Sequence, residues 1–472
     1  MKQSLGFLVQ FLLTALLLPA YGQDIQYFLL EESPEFSSIE SLLLEEEADS
    51  VIVLADAFLA TTRDPKKSGI AHFYKGQAEA AMGHFGMAHR SYDEAGRHFR
   101  SIGFEEGLAM VCAKTGDVYA STDDAQEAET YYDRAIQYSE EQKLYEVLVD
   151  VYQKKAIIHT LDAPETAIDF LKHALQYALL QEDETQAINI INQISTNYHM
   201  SGELDSAILY FQESLRLKDR LDDPAGLISD HSALGSLYRE RGDYENAQRE
   251  LMAALGIAEA QRDSFAITTA YSGLGDIYAA QNVWDVSEDY YHKAIVLARI
   301  KSSRFMEAGC LKRLGQVFLR QGRDSAAIAS YESALDLYTQ LGSKVNVAEV
   351  LVQLSQIYHS PRDFIKVRSL LEETLKTSQR SQDVMSALST KLALADIEIK
   401  LGNYQTGISY ADECLTSFRN MEDKENLRRV TLLLSQAHAQ LGNYRQAYEF
   451  HQEYGMLNDS LVSVERAAAI KK

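Results

Sequence analysis

The stretch His231–Ala258, HSALGSLYRERGDYENAQRELMAALGIA, decides the fold. It reads as two helices joined by a tight turn at Gly242. Leu234, Gly235 and Tyr238 fall on one face of the first helix, and Ala247, Leu251 and Ala254 on one face of the second. Spacings of three and four residues produce such a face. Two short helices with one apolar stripe each cannot bury themselves, so this pair requires neighbours.

Working outward, the small residue at Ala247 recurs as Ala88, Ala128, Ala167, Ala207, Ser287, Ala327, Val367, Gly407 and Ala447, in steps of 40 with a single step of 39. A fixed period over ten units is the mark of a solenoid. Other positions keep step. Seven residues on lie Ala95, Ala135, Ala174, Ser214, Ala254, Ala294 and Ala334. Between the two stands a large residue: Tyr92, Tyr132, Leu171, Phe211, Leu251, Tyr291 or Tyr331. Twelve residues before the small residue comes Gly76, Gly116, Gly235, Gly275 or Gly315, with Ser at 195, 355 and 435. Three further on follow Tyr119, Tyr198, Tyr238, Tyr278, Phe318 and Tyr358. Small residues let helix backbones approach, and the large ones fill the space between pairs.

This pattern resembles the tetratricopeptide repeat in a longer-period form, over roughly residues 67–457. The resemblance implies an all-α fold: a right-handed superhelical solenoid of about ten helix-turn-helix repeats. Ala48 and Ala55 keep the register 40 residues ahead of Ala88 and Ala95, so residues 23–66 read as an N-terminal helical cap with a degenerate repeat. No Pro- or Gly-rich linker divides the array, and one continuous superhelix is expected.

The turns are marked. Gly83, Gly202, Gly242, Gly322, Gly402 and Gly442 share one register, with Asn282 and Asp162 as substitutes. Such residues accept the left-handed conformation that ends a helix. Asp223-Pro224 and Asp263-Ser264 read as helix starts. The last repeats decay: Glu398 and His438 replace the aromatic, and Ala411 and His451 the large residue.

Residues 1–22 read as a signal peptide. Lys2 precedes an apolar run from Leu5 to Leu18, too short to span a bilayer comfortably. Ala20-x-Gly22 fits a cleavage site that leaves Gln23 first and the protein periplasmic or secreted. A membrane anchor is the alternative. No Cys follows the run, which argues against a lipid anchor. The mature chain is expected to hold no transmembrane segment. Cleavage leaves 44 Lys and Arg against 69 Asp and Glu. That balance excludes a general nucleic-acid binder, which requires a basic footprint.

The sequence carries no GxxxxGK[ST] loop and no HExxH pair. Gly273-x-Gly275 lies in a repeat helix and follows no strand. His84 and His89 are five apart, off the spacing that aligns two ligands on a helix, and read as surface residues. Glu45, Glu46 and Glu47 form a solvated charge run. Cys112, Cys310 and Cys414 lack metal spacing and read as small buried hydrophobes. No catalytic residue, cofactor or metal is assigned, and the chain reads as a non-enzyme.

What remains is a surface. By the resemblance, the first helix of each pair lines a concave groove. Its candidate residues are Asn189, Asn192, Thr196 and His199; Ser229, Ser232, Ser236 and Arg239; Thr269, Ser272 and Asp276; and Lys312, Gln316 and Arg320. Small and polar, they suit an extended peptide, with Asn side chains bonding its backbone and Arg239, Lys312 and Arg320 taking a carboxylate. Chaperone-binding members of the family use a Lys/Asn clamp. Here Lys312 alone matches, so that specificity is not carried over.

The end of the chain, YGMLNDSLVSVERAAAIKK, is similar to the end of the periplasmic repeat region of certain bacterial membrane histidine kinases. Residues 458–472 are expected to form a helical tail. The leading function is an exported protein-interaction scaffold with a protein or peptide partner. The alternative is the sensory half of a two-component or related system whose output half is absent from this chain.

Overall fold

A computed structural model describes residues 34–44, 47–161, 163–358, 360–380, 384–421 and 423–470. The expected signal peptide, the start of the cap, Glu45, Glu46 and Asp162 lie outside the described residues. Among the described residues there are 22 α-helices and no strand. Two come first: α1 (Pro34–Leu44) and α2 (Ala48–Thr61). Ten pairs follow. They are α3 (Pro65–Ala81) with α4 (Phe85–Ile102), α5 (Glu105–Ser121) with α6 (Ala125–Gln142), α7 (Tyr145–His159) with α8 (Pro164–Leu180), and α9 (Glu184–Met200) with α10 (Leu204–Arg220). Next come α11 (Pro224–Arg241) with α12 (Tyr244–Gln261), α13 (Ser264–Ala280) with α14 (Trp284–Ile300), and α15 (Arg304–Arg320) with α16 (Asp324–Gln340). The last are α17 (Lys344–Ile357) with α18 (Pro361–Arg380), α19 (Val384–Lys400) with α20 (Tyr404–Asn420), and α21 (Lys424–Gln440) with α22 (Tyr444–Ile470).

The chain divides into two compact units, Met1–Gly226 and Leu227–Lys472, with the division in the first turn of α11. Each is an all-α solenoid. In the first unit successive helices from α1 to α10 pack on one another, and in the second those from α12 to α22 do; Gly235 of α11 lies against Leu251 of α12. Successive first helices also touch, as α3, α5 and α7 do in the first unit and α17, α19 and α21 in the second, while successive second helices scarcely meet. The first helices therefore line the inner side of each unit.

The register explains the packing. Ala88, Ala128, Ala167, Ala207, Ala247, Ser287 and Ala327 are completely buried. Each glycine of the first helix leaves room for the large residue sixteen positions on. A Cβ at Gly116 would stand 2.5 Å from the Tyr132 ring, and one at Gly275 2.9 Å from that of Tyr291. No real Cβ sits so close, so these glycines are steric requirements. Ser287 Oγ adds a bond, donating to the Gly275 carbonyl at 2.8 Å.

Helix ends follow the sequence signals. Gly83, Gly202, Gly242, Gly322, Gly402, Gly442 and Asn282 all have positive φ. A second turn, between pairs, repeats the left-handed residue at Gly103, Lys143, Glu182, Asp222, Arg262, Ser302 and Gly342. Asp223 Oδ1 accepts from Gly226 N at 2.9 Å, and Asp263 Oδ1 from Phe265 N and Ala266 N at 2.9 and 3.0 Å. Both cap helix starts as the sequence indicates.

One pair departs from the pattern. α17 stops at Ile357, and Tyr358 is extended with ψ 141°. Pro361 then opens α18, capped by Ser360, whose Oγ accepts from Asp363 N at 3.2 Å. Proline at a first helical position forces the preceding residue out of the helix, so this turn forms without glycine. At the N-terminal end, Phe36, Ile39 and Leu43 of α1 are buried, and the Phe36 ring lies 4.9 Å from that of Phe58 and 6.0 Å from that of Tyr74.

Candidate functional site: the first-helix faces

The candidate residues sit on the inner helices. Asn189, Asn192, Thr196 and His199 lie on α9 in the first unit. The others lie on α11, α13 and α15 in the second. Asn189, Ser229, Ser236, Thr269, Gln316 and Arg320 are exposed; Asn192, Thr196, His199, Ser232, Ser272, Arg239, Asp276 and Lys312 are half-buried. Several hydroxyls are satisfied by their own helix. Thr196 donates to the Asn192 carbonyl at 2.9 Å, Ser232 to Ile228 at 2.7 Å and Thr269 to Phe265 at 3.0 Å. Asn192 Oδ1 is buried and accepts nothing among the described residues.

The charged candidates behave differently from expectation. Lys312 donates to Glu349 Oε2 on α17 at 2.6 Å, so it meets a carboxylate of the chain itself. Asp276 accepts from Tyr291 OH at 2.5 Å and pairs with Arg313 on α15. Arg320 stands one position beyond the register of Arg239, which falls at Leu319. One residue is about 100° around a helix, so the two arginines occupy different faces. The expectation of one positive cluster from Arg239, Lys312 and Arg320 is therefore corrected. Lys312 is neutralised, and Arg320 is off the face.

Sequence reasoning missed what replaces that cluster. Asp117 and Asp276 are 159 residues apart, which is four periods, one of them the short step of 39. Each accepts from the buried tyrosine fifteen residues on, Tyr132 OH at 2.9 Å and Tyr291 OH at 2.5 Å. Each also pairs with a cation on the next first helix, Lys154 Nζ at 2.8 Å in one unit and Arg313 in the other. Lys154 and Arg313 share a register too. Burial, then the neighbouring carboxylate, drives both tyrosine hydroxyls above their usual range. These are neutral donors locked to carboxylates, an arrangement that fixes successive inner helices to each other.

The cysteines are free thiols. Cys310 and Cys414 are buried and Cys112 half-buried. Desolvation pushes Cys112 and Cys310 up to about 11 and Cys414 to about 12, from 9.0. Above pH 9 the unfolded chain releases thiol protons that the folded chain keeps. Stability is thus full below pH 9 and falls as pH rises toward 12. Urea titrations at pH 8 and pH 10.5 should give the lower midpoint at the higher pH, with Cys414→Ala reducing the difference.

His84 is exposed, whereas His89 is half-buried and shares a 3.0 Å hydrogen bond with Tyr119 OH. Among the described residues no group of three His, Cys, Asp or Glu is placed to hold a metal, and no helix is long and apolar enough to cross a membrane. An open cavity of about 520 Å³ lies among α12, α13 and α14, lined by Ile267, Tyr271, Val296, Leu297 and Ile300 beside Glu259 and Lys293.

Family models of the tetratricopeptide repeat match residues 111–142 and 231–261, and in a second form 270–305 and 311–345. The chain carries tetratricopeptide repeats over those residues. All four matches fall on helix pairs in the register of Ala128, Ala247, Ser287 and Ala327. Solved structures of similar fold include BtubC (BKLC) from P. vanneervenii, with 21% identity, 46% of this chain and 92% of that one covered, and a TM-score of 0.42. The apo form of RapI shows 12% identity, covering 83% and 98%, at 0.48. The apo form of the quorum sensor NprR from B. thuringiensis shows 13%, covering 81% and 97%, at 0.46. No curated protein matches the chain.

Proposed function

We propose that the chain is an exported, non-enzymatic scaffold whose inner helical face binds an extended segment of a partner protein. The observation that carries this is the row of exposed, uncharged side chains on successive first helices of the second unit: Ser229, Ser236, Thr269 and Gln316. They stand at repeating positions where nothing in the packing requires a polar group. The charged groups beside them, Asp276–Arg313 and Lys312–Glu349, are already paired. Recognition then rests on hydrogen bonds to a peptide backbone and not on capture of a carboxylate. The partner is a protein or peptide; the strongly acidic balance argues against nucleic acid.

A photoreactive amino acid at Ser236 or Gln316 tests this in the native host. One discrete cross-linked product from both positions, absent when the probe replaces exposed Glu259 on α12, is expected. Equal products from both faces would refute groove binding. Export rests on the leader pattern of residues 1–22. Protein from the native host should begin at Gln23, and an intact Met1 would remove the assignment.

A further inference from the structure

Tyr132 and Tyr291, at the large-residue position, each find an acceptor fifteen residues back, in Asp117 and Asp276. Tyr331 holds the same position on α16 and is completely buried. The residue fifteen before it, on α15, is Gln316, which is exposed and does not take the bond. The Tyr331 hydroxyl is thus buried with no partner, and no other tyrosine hydroxyl among the described residues is in that state. Burial holds it protonated, so it is a donor without an acceptor. Such a group weakens the fold, and native structures keep few of them. Two other repeats satisfy it with aspartate; this one keeps glutamine.

We infer that the Tyr331 hydroxyl anchors one backbone carbonyl of the segment held on the inner helical face; this rests on the groove reading proposed above. The acceptor position is reachable from that face. Asp117 and Asp276 touch their tyrosines there, yet their side chains remain 29% and 20% exposed. A carbonyl oxygen entering from solvent can stand where those carboxylates stand. The position suits a neutral oxygen. Asp117 and Asp276 are each balanced by a cation 37 residues on, Lys154 and Arg313, and the same step from Gln316 reaches the uncharged Gln353. Gln316 supplies the complement. Its amide offers an acceptor and two donors beside the hydroxyl, and the acceptor suits the next N–H of the same segment. One peptide unit is then bonded on both sides, and the donor that the fold leaves unpaired is satisfied only when the segment is bound.

Tyr331→Phe removes the oxygen alone. With the photoreactive residue at Ser236 in the native host, this change should lower the yield of the discrete cross-linked product at least about threefold. The purified variant should melt at or above the wild-type temperature, because no bond within the fold is lost. Tyr291→Phe, which loses the bond to Asp276, should melt lower. Gln316→Asp should give the Tyr331 hydroxyl an acceptor of its own, and so melt higher than wild type while cross-linking less. Arg320→Ala should leave the yield unchanged. A wild-type product whose yield survives Tyr331→Phe would overturn the inference and leave the groove reading standing, whereas no product from the otherwise wild-type chain removes both. A melting temperature for Tyr331→Phe as low as that of Tyr291→Phe would show the hydroxyl to be satisfied within the fold, and would overturn it too. So would a loss of yield in Arg320→Ala as large as that in Tyr331→Phe, since a carboxylate would then be the bound group.

Discussion

Ala247→Arg is expected to be the most damaging single change on the inner-register positions, with a loss of at least about 4 kcal/mol. Ala247 is completely buried between its own first helix and the next pair, and a Cβ at Gly235 would already lie 3.4 Å from its carbonyl oxygen. A guanidinium there has no space and no carboxylate partner, and an unpaired charge in such a place is expensive. In a solenoid each pair touches only its neighbours, so the damage should start locally. Thermal denaturation should split, with α11 and α12 melting first. Glu245→Arg, exposed on the same helix, should shift the midpoint by no more than about 0.5 kcal/mol. A single unshifted transition for Ala247→Arg would show that the register is misplaced.

The second large effect is expected at Asp276. Asp276→Ala leaves the Tyr291 hydroxyl, on a side chain 1% exposed, without its acceptor. It also strips Arg313 of its carboxylate. A hydrogen bond to a charged acceptor contributes about 1.5–3 kcal/mol, and an orphaned buried donor costs about as much. A loss of about 2–3 kcal/mol follows. The exposed Arg313 side adds little because water screens it. Tyr291→Phe in the same chain should recover part of the loss, since it removes the orphan. Asp117→Ala, in the same register with Tyr132, should behave alike. Ser236→Ala and Gln316→Ala, also in that register, should be nearly neutral. Equal losses at all four positions would mean that the tyrosine contact is not the cause.

The fold was legible because its determinants are small and periodic. A residue between helices has to be small in every pair, so the 40-residue step survives even where Ser287 or Gly407 replaces alanine. Left-handed turns and aspartate caps leave similar marks. The misreadings have physical causes. Asp276 and Lys312 are polar residues on a helix face, as a peptide site would present, and nothing in one repeat shows that a cation or carboxylate 37 residues on neutralises them. That spacing differs from the period because the contact runs between successive helices, not between equivalent atoms. The recurrence of Asp117 and Lys154 at Asp276 and Arg313 was the available signal, and only two pairs carry it in full. Arg320 failed for a simpler reason, a one-residue slip in register. Phe211 holds the large-residue position yet is half-buried, and Ser195 stands opposite it where Gly116 and Gly275 make room for Tyr132 and Tyr291. At the C-terminal end, His451 stands in the large-residue position and is exposed.

Each 40-residue unit is a helix pair seated on its neighbours by the small-residue register. Native-state hydrogen exchange along the whole chain tests it most directly. The fast amides should cluster at Gly83, Asp123, Gly202, Gly242, Asn282, Gly322, Gly402 and Gly442, with a second set at Gly103, Lys143, Glu182, Asp222, Arg262, Ser302 and Gly342. The slowest should lie within the helices around Ala128, Ala167, Ala207, Ala247, Ser287 and Ala327. Protection that runs unbroken through those turns, or fast exchange at the buried alanines, would contradict it.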